Sequence, residues 1–553
     1  MNLEVADFIK VAPFNRSTGL GAVLPSAFSV TYNVVGFPDT DAGSFGVSVR
    51  GKVTKLTTTP ETFPLWSANV AEADASNKYR YVKLAADGKT IEQESFSRTF
   101  AGSQAATPNE FYMRKPSKKL KALPQVYSDV RPKASRAFDD NQIGTVHLTV
   151  DPAAFADMVA NPLDEERKAI KASFRFINGD TVYSAAETKV KVSGHGTRKY
   201  KKLSLRVKFD EDKGETFFDR PIIKLRSEVN DPTMIREKLY FDLLNSVGVP
   251  TSQGAYVRVY VNKKPFGFHL MAEDIETPFL RSAIHGGKLQ TKELGSLNQM
   301  GSHVIGLEAS MMYQGPKSVD YNPEIYSNKN LGDPTKNTKE EPLAQFIQFL
   351  KELNDYAPSK TNGVKFWKSR LDLDGFLRSM ALEYLGGAWD SYWWKGNNYF
   401  MYFNPTKNVW QFLPTDFDST FSNGNRPDVD VIYKQFAASR LRRQGKDHPL
   451  ISKLILAKDT DTNKLFEKIL LDITKKVFNP TALNSRIDAY KVMIQEEVKW
   501  DYAIDRSKNP GKAVGWTMTD FEKSITGPVK GVSDGIKPWI QKRDKSVREE
   551  IKA

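Results

Sequence analysis

Three side chains in the last third of the chain have the types and spacing of a site: Asp390, Asn398 eight residues later, and Asp416, which is followed by Phe417 and Asp418. In an extended Asp416-Phe417-Asp418 string, alternation turns both carboxylates to one side and Phe417 into the core. Two carboxylates on one face repel unless a cation lies between them, which favours a divalent metal with oxygen ligands. Taken alone, the same string also fits a pair of turn aspartates at a strand end. Far upstream, Gly194-His195-Gly196 makes a turn whose backbone amides can approach a phosphate, with Arg198 as an added cation. His195 reads there as a turn residue rather than a base.

Other chemistry is excluded by composition. The 553 residues include no cysteine, so thiol nucleophiles, iron–sulfur sites, zinc ribbons and disulfide staples are absent and catalysis must use oxygen and nitrogen groups. The six histidines form no HExxH string and no i, i+4 pair, so a zinc enzyme is not expected. Gly531-Val532-Ser533-Asp534-Gly535 fits G-x-S-x-G but follows no recognisable strand, and reads as chance. Trp389, Tyr392, Trp393 and Trp394 can stack a sugar or base, or complete a core. Asn15-Arg16-Ser17 is the one glycosylation sequon, as chance would supply.

Lys and Arg outnumber Asp and Glu 80 to 66, a net charge of +14. That excess is too dilute to imply a nucleic-acid partner unless clustered. Of the dense clusters at 115–121, 198–208, 440–446 and 542–552, only the second sits in a strand pattern. No apolar run of 18 residues occurs, so no transmembrane segment is expected. The first residues, MNLEVADFIKVAPFN, lack the basic and apolar regions of a signal peptide. Either the protein is not secreted or the sequence begins after the signal, and the lack of cysteine leaves the compartment open.

The elements that must position these residues are legible in outline. Residues 1–106 carry runs rich in Val, Tyr, Phe and Thr, such as AFSVTYNVVGF, GSFGVSVRGKVTKL and KYRYVKL, that predict a small N-terminal β-sandwich. Residues 107–142, with scattered prolines and many lysines, read as a linker or strap. Residues 143–276 mix strand and helix: a helix from Pro152 capped by Asp151, hairpins turning at Asn178-Gly179-Asp180 and at Asn262 to Pro265, and a helix ended by Gly248. From 277 to 553 the helical period dominates, with Leu343, Phe346, Ile347, Leu350 and Leu353 on one face. A hairpin turning at Asn404-Pro405-Thr406-Lys407 interrupts these helices. Residues of about 285–342 lack periodicity and read as a long insertion or lid.

The stretches VKVSGHGTRKYKKLSLRVKF, KLRSEVNDPTMIREKLYFDLL, YVRVYVNKKPFGFHLMAEDIE and WDSYWWKGNNYFMYFNPTKNVWQFLPTDFDSTF, in that order, resemble the CotH family of spore-coat-type atypical kinases, most closely its fungal invasin-like branch. The resemblance implies an α+β fold, a two-lobed atypical protein-kinase-like domain preceded by the β-sandwich, with residues 143–276 as the N-lobe and 277–553 as the helical C-lobe. It implies an ATP- and Mg²⁺- (or Mn²⁺-) dependent kinase acting on Ser/Thr of a protein. In it Asp390 is the catalytic aspartate, Asn398 a metal ligand and Asp416 the principal metal aspartate, with Asp418 beside it. Lys202 is expected on the nucleotide phosphates, held by an ion pair with Glu237, with Arg198 as a further phosphate contact. Glu273 lies in the segment expected to meet adenine, or else anchors the junction of the lobes.

Two other functions compete. In one, the kinase-like domain is a scaffold and the protein is a non-catalytic surface, adhesion or coat protein. In the weaker other, Asp390 and Asp416 are a carboxylate pair acting on carbohydrate. By resemblance the protein is secreted, at the cell surface or in the spore coat; a cytoplasmic location is the alternative.

Overall fold

The structure, a computed structural model, describes residues 29–71, 78–99, 105–116, 119–128, 135–301, 307–424, 428–437 and 447–551. The sequon at Asn15, His303 and the basic cluster at 440–446 lie outside the described residues. The fold is mixed α and β, in two compact units, Met1–Lys115 and Pro116–Ala553.

In the first unit, β-branched and aromatic runs form strands because such side chains pack on a pleated surface. Val30–Val35 pairs antiparallel with Leu65–Val70 and parallel with Glu110–Phe111. A second sheet runs in the order Lys52–Lys55, Ser44–Val49, Lys78–Leu84, Thr90–Gln93. Tyr32, Val34, Phe45, Val47, Trp66 and Tyr81, drawn from both sheets, share one apolar core. The start of the expected linker belongs to this unit. Glu110 accepts hydrogen bonds from the Tyr79 and Tyr81 hydroxyls, each at 2.8 Å, and pairs with buried Arg98 at 3.2 Å.

In the second unit, strands Gly144–Val150, Ile170–Asn178, Thr181–Ser193, Ser204–Phe209, Ile222–Arg226, Gly254–Val261 and Lys264–Glu273 close into a barrel. Closure removes exposed sheet edges. Val146, Leu148, Phe174, Val190, Val207 and Ile223 fill its interior, while alternate residues face outward. The two-residue turn at Gly179-Asp180 forms as expected. The second hairpin turns more tightly than expected, on Asn262 and Lys263, both left-handed with φ of 47° and 66°.

Past the barrel, helices Ala344–Asp355, Leu373–Gly386, Asp461–Lys476, Pro480–Ala503 and Ile536–Glu550 contribute to one large core, which includes all five apolar residues of the stripe expected from Leu343 to Leu353. Residues 285–342 are not simply an insertion. Leu297–Met300 and Tyr326–Asn330 pair beside Tyr399–Asn404 and Val409–Pro414 in a four-stranded sheet. Their pattern escapes periodicity because asparagines take positions in these strands, half-buried Asn328 donating Nδ2 to Oδ1 of buried Asn298 at 2.8 Å. A C-terminal strap also crosses the barrel: Lys201 N–H donates to Lys512 O at 2.8 Å, Lys512 N–H to Lys199 O at 2.7 Å, and Asn509 Nδ2 to Lys201 O at 2.9 Å. Among the described residues no helix is long and apolar enough to cross a membrane.

Candidate functional site

A cleft of about 650 Å³ lies in the second unit, lined by one end of the barrel, by the four-stranded sheet and by the loop following Val409–Pro414. Asp390, Asn398, Asp416 and Asp418 all line it. Left-handed backbone sets two of them and flanks a third. Helix Leu373–Gly386 stops at Gly387 (φ +62°), and Asp390 precedes the short helix Tyr392–Lys395, which ends at Gly396 (φ +63°). Asn398 (φ +57°) and Asp416 (φ +62°) are themselves left-handed, as is Glu228 (φ +53°) in the opposite wall. Non-glycine residues in that region cost about 1–3 kcal/mol each and persist where the surroundings over-determine them.

The Asp390 carboxylate is clamped. Oδ1 accepts from Lys395 Nζ at 2.5 Å and from Asn397 Nδ2 at 3.3 Å, while Asn398 Nδ2 bonds Oδ2 at 3.2 Å and the Asp390 carbonyl at 3.0 Å. Because the Asn398 amide nitrogen is spent on Asp390, its Oδ1 is the end left to meet a ligand.

Asp416 and Asp418 share the cleft, but by a turn rather than by strand alternation, since the strand has already ended at Pro414. Phe417 is buried as expected, its ring stacked on Tyr240 with centroids 4.4 Å apart. Arg226 Nη2 donates to Asp416 Oδ1 at 2.7 Å, and Arg226 Nε to Glu237 Oε2. Glu237 Oε1 in turn accepts the Phe417 N–H at 3.2 Å. Buried Asp231 places Glu237 by capping its helix, accepting the Thr233, Ile235 and Arg236 backbone N–H groups.

Four carboxylates, of Glu228, Glu237, Asp416 and Asp418, thus surround one guanidinium. Burial first, and then neighbouring Asp416, push the Asp418 carboxyl up to about 7. Burial and Glu237 hold Glu228 well above the ordinary range, and its Oε2 has no hydrogen-bond donor. This excess of acid suits a cation. Among the described residues no three His, Asp or Glu side chains group as a complete metal site. What the chain offers is two carboxylates and an amide oxygen, a set that suits Mg²⁺ when phosphate oxygens and water supply the rest.

The residues expected on the nucleotide separate from this group. Lys202 does not line the cleft and does not pair with Glu237. It is buried beneath the strap, 3.0 Å from Asp501 Oδ2 and donating to Phe268 O at 2.6 Å, and burial pulls its ammonium down to about 8. Arg226, not Lys202, is the cation that pairs with Glu237. Its signal was present in Ile222–Arg226, where Lys224 and Arg226 alternate with core residues Ile223 and Leu225 and so face the cleft. Arg198 is buried with its guanidinium spent on the carbonyls of Gly194, Pro162 and Val192, so it shapes the Gly194-His195-Gly196 turn from behind. The Glu273 carboxylate is bound by Arg220 Nε at 2.8 Å and Gln253 N–H at 2.8 Å, and its own N–H and carbonyl pair with Gln253 and Ser252. Glu273 is therefore tied within the barrel unit, to Arg220, Ser252 and Gln253, and Asp274 and Ile275 line the cleft beside it. His195 Nδ1 lies 2.6 Å from Glu165, at the rim. Of the aromatic string, Tyr392, Trp393 and Trp394 are core, and Trp389 lines the cleft with Nε1 donating to Asn423 O at 2.6 Å.

Behind Asp390, Glu383 Oε2 accepts the Trp393 N–H at 2.7 Å, and burial pushes its carboxyl up to about 8. The folded protein thus keeps a proton that the unfolded chain releases above about 4.5, so stability falls as pH rises from that value to about 8. Glu383→Gln keeps the acceptor and removes this slope. In thermal melts the variant should match wild type at pH 4.5 and gain about 2 °C at pH 8.5; equal melting shifts at both pH values would rule the buried proton out.

A family model described as CotH kinase protein matches residues 190–547. The chain is 29% identical to Invasin CotH3 of Rhizopus delemar, covering 95% of this chain and 85% of that protein. It is 28% identical to Invasin CotH2 of the same fungus, over 94% and 81%. Against inner spore coat protein H of Bacillus subtilis it is 22% identical, over 56% of this chain and 76% of that protein.

Proposed function

Because the chain belongs to the CotH kinase protein family, we propose that it is an ATP- and Mg²⁺- (or Mn²⁺-) dependent kinase of two-lobed architecture that phosphorylates Ser or Thr of a protein. The barrel is read as the N-lobe, the helices with their sheet as the C-lobe, and the first unit as a β-sandwich. The observation that carries the reading is the gathering of Asp390, Asn398, Asp416 and Asp418 in one cleft with the Arg226–Glu237 pair.

Phosphoryl transfer asks the protein mainly for positioning and charge. Asp390 Oδ1 accepts from both Lys395 and Asn397, and Oδ2 only from Asn398, so Oδ2 is the oxygen read as orienting the acceptor hydroxyl and taking its proton. The hydroxyl oxygen bonds to the γ-phosphorus as the bond to the bridging oxygen breaks, leaving the electron pair on the diphosphate. Arg226, fixed by Glu237, supplies positive charge beside Asp416. A divalent cation held by Asn398, Asp416 and Asp418 neutralises phosphate charge when bound. The turn at Gly194 (φ +84°) brings backbone N–H groups to the cleft; a Cβ there would lie 2.3 Å from Thr197 Oγ1.

The names of the relatives favour a second reading, a surface or coat protein that uses this domain as a scaffold, placed at the cell surface or in the spore coat. Labelled ATP separates the two. With Mg²⁺ or Mn²⁺ and Ser-rich peptides, the wild type should transfer label and Asp416→Ala should not. A wild type that binds no nucleotide by calorimetry with either metal ends the kinase reading and leaves the scaffold.

A further inference from the structure

One end of the cleft, lined by Lys224, Asp274, Ile275, Gln299 and Phe400, continues into a side cavity of about 260 Å³ that neither Trp389 nor Trp516 lines. Beyond Asp390 the wall changes character. Two half-buried tryptophans line it, Trp389 beside Asp390 and Trp516 from just past the C-terminal strap. Each ring is fastened by its indole N–H, Trp389 Nε1 donating to Asn423 O at 2.6 Å and Trp516 Nε1 to Val229 O at 2.9 Å. The two holds belong to one belt, because Asn423 Nδ2 donates to Asn230 O at 3.0 Å and to Asp418 O at 2.7 Å.

Beside the rings the wall is glycine. Gly424 and Gly531 both line the cleft, both are left-handed, and Gly424 N–H donates to Gly531 O at 2.9 Å. A Cβ on Gly424 would lie 2.6 Å from Trp389 Cζ2, so glycine there is what lets the ring take its place; a Cβ on Gly531 would meet nothing within 4 Å. The polar groups of this wall are already taken. Both indole N–H groups and both Asn423 amide donors bond within the protein, and Asn230 Nδ2 donates to Asp418 Oδ2 at 2.8 Å. A sugar calls for side-chain donors that are engaged here, whereas an apolar side chain calls only for ring surface.

We propose that this end of the cleft is the acceptor subsite, and that it selects a polypeptide segment carrying an aromatic or large aliphatic side chain within two residues of the Ser or Thr that is phosphorylated. The inference rests on the kinase reading and adds to it the sequence preference of the acceptor. A hydroxyl held at Asp390 Oδ2 brings the neighbouring residues of an extended segment, each about 3.3 Å further along, toward the tryptophans. Bare glycine lets that segment's backbone approach closely. Ring surface then removes the apolar side chain from water.

The test uses the full chain with labelled ATP and Mg²⁺. Its probes are a Ser peptide otherwise of glycine and alanine, and the same peptide with Phe placed in turn at each position up to two residues from the Ser. At one or more positions Phe should raise kcat/KM roughly tenfold over the parent, chiefly through KM. Trp516→Ala should bring the best Phe peptide to within about twofold of the parent, and nucleotide affinity by calorimetry should stay within about twofold of wild type. Trp516→Phe keeps a ring but loses the N–H to Val229 O, and should retain most of the preference. A merely structural Trp516 would instead lower transfer to all the peptides alike, in both variants. Equal transfer to all peptides by wild type, or a preference that survives Trp516→Ala, overturns the subsite and leaves the kinase standing. Transfer to none of the peptides also overturns it, and calorimetry then separates the two readings: nucleotide binding retains the kinase, and its absence removes both.

Discussion

Asp390→Asn should lower label transfer from ATP about a thousandfold while leaving Mg²⁺–nucleotide affinity within about twofold. The substitution keeps a carbonyl oxygen for Lys395 and Asn397, and Asn398 loses its bond to Oδ2 but keeps the one to the backbone carbonyl of residue 390, so the loop between helix Leu373–Gly386 and strand Tyr399–Asn404 should hold its shape. What is lost is an atom able to take the acceptor proton. Asp416→Asn should behave differently, weakening nucleotide binding as well as transfer, because Asp416 stands among the residues placed to hold the cation. Single-turnover measurements at saturating nucleotide separate the two: equal losses of binding in both variants, or wild-type transfer by Asp390→Asn, would refute the division of roles.

The second large effect falls on stability. Lys202→Met should lower the unfolding free energy by about 3 kcal/mol, because removing one partner of a buried ion pair leaves an under-compensated charge. Lys202 and Asp501 are both fully buried, and Asp501 retains only Arg506 and the Phe268 N–H. Adding Asp501→Asn, which keeps an acceptor for that N–H, should restore part of the loss. Urea unfolding reads the stability, and calorimetry at low temperature reads nucleotide affinity per folded molecule, which should be unchanged. A variant of wild-type stability that has lost its nucleotide would return Lys202 to the phosphates.

These two experiments fall on residues that the sequence treats alike and the structure separates. That Asp390, Asn398, Asp416 and Asp418 gather in one cleft was legible because short-range spacing brings them to one loop system beside one hairpin. Phe417, between two acids, could only turn inward. Lys202 was misplaced for a different reason. The basic run 198–208 holds several cations, and which of them meets solvent is decided by a strap that arrives from residues 501–512. Arg226 was missed although its alternation with Ile223 and Leu225 marks it as facing outward, because nothing in the strand reveals that Glu237 and Asp416 lie opposite. Glu273 was ambiguous in sequence, since nothing local reveals that its backbone bonds Ser252 and Gln253 within the barrel unit. The short strands within 285–342 stayed hidden because buried Asn298 and half-buried Asn328 and Asn330 carry no hydrophobic period.

The strap has a consequence for how the protein is made. Lys201 is joined to Ser507 and Asn509, partners 306 and 308 positions away. On the ribosome, where domains generally fold in order of synthesis at about 5–20 residues per second, the barrel strands emerge well before the residues that cover Lys202. For roughly 15 to 60 seconds at those rates, the nascent barrel would carry this lysine without Asp501. Chaperone demand during translation should therefore concentrate in the interval before residue 512 leaves the exit tunnel.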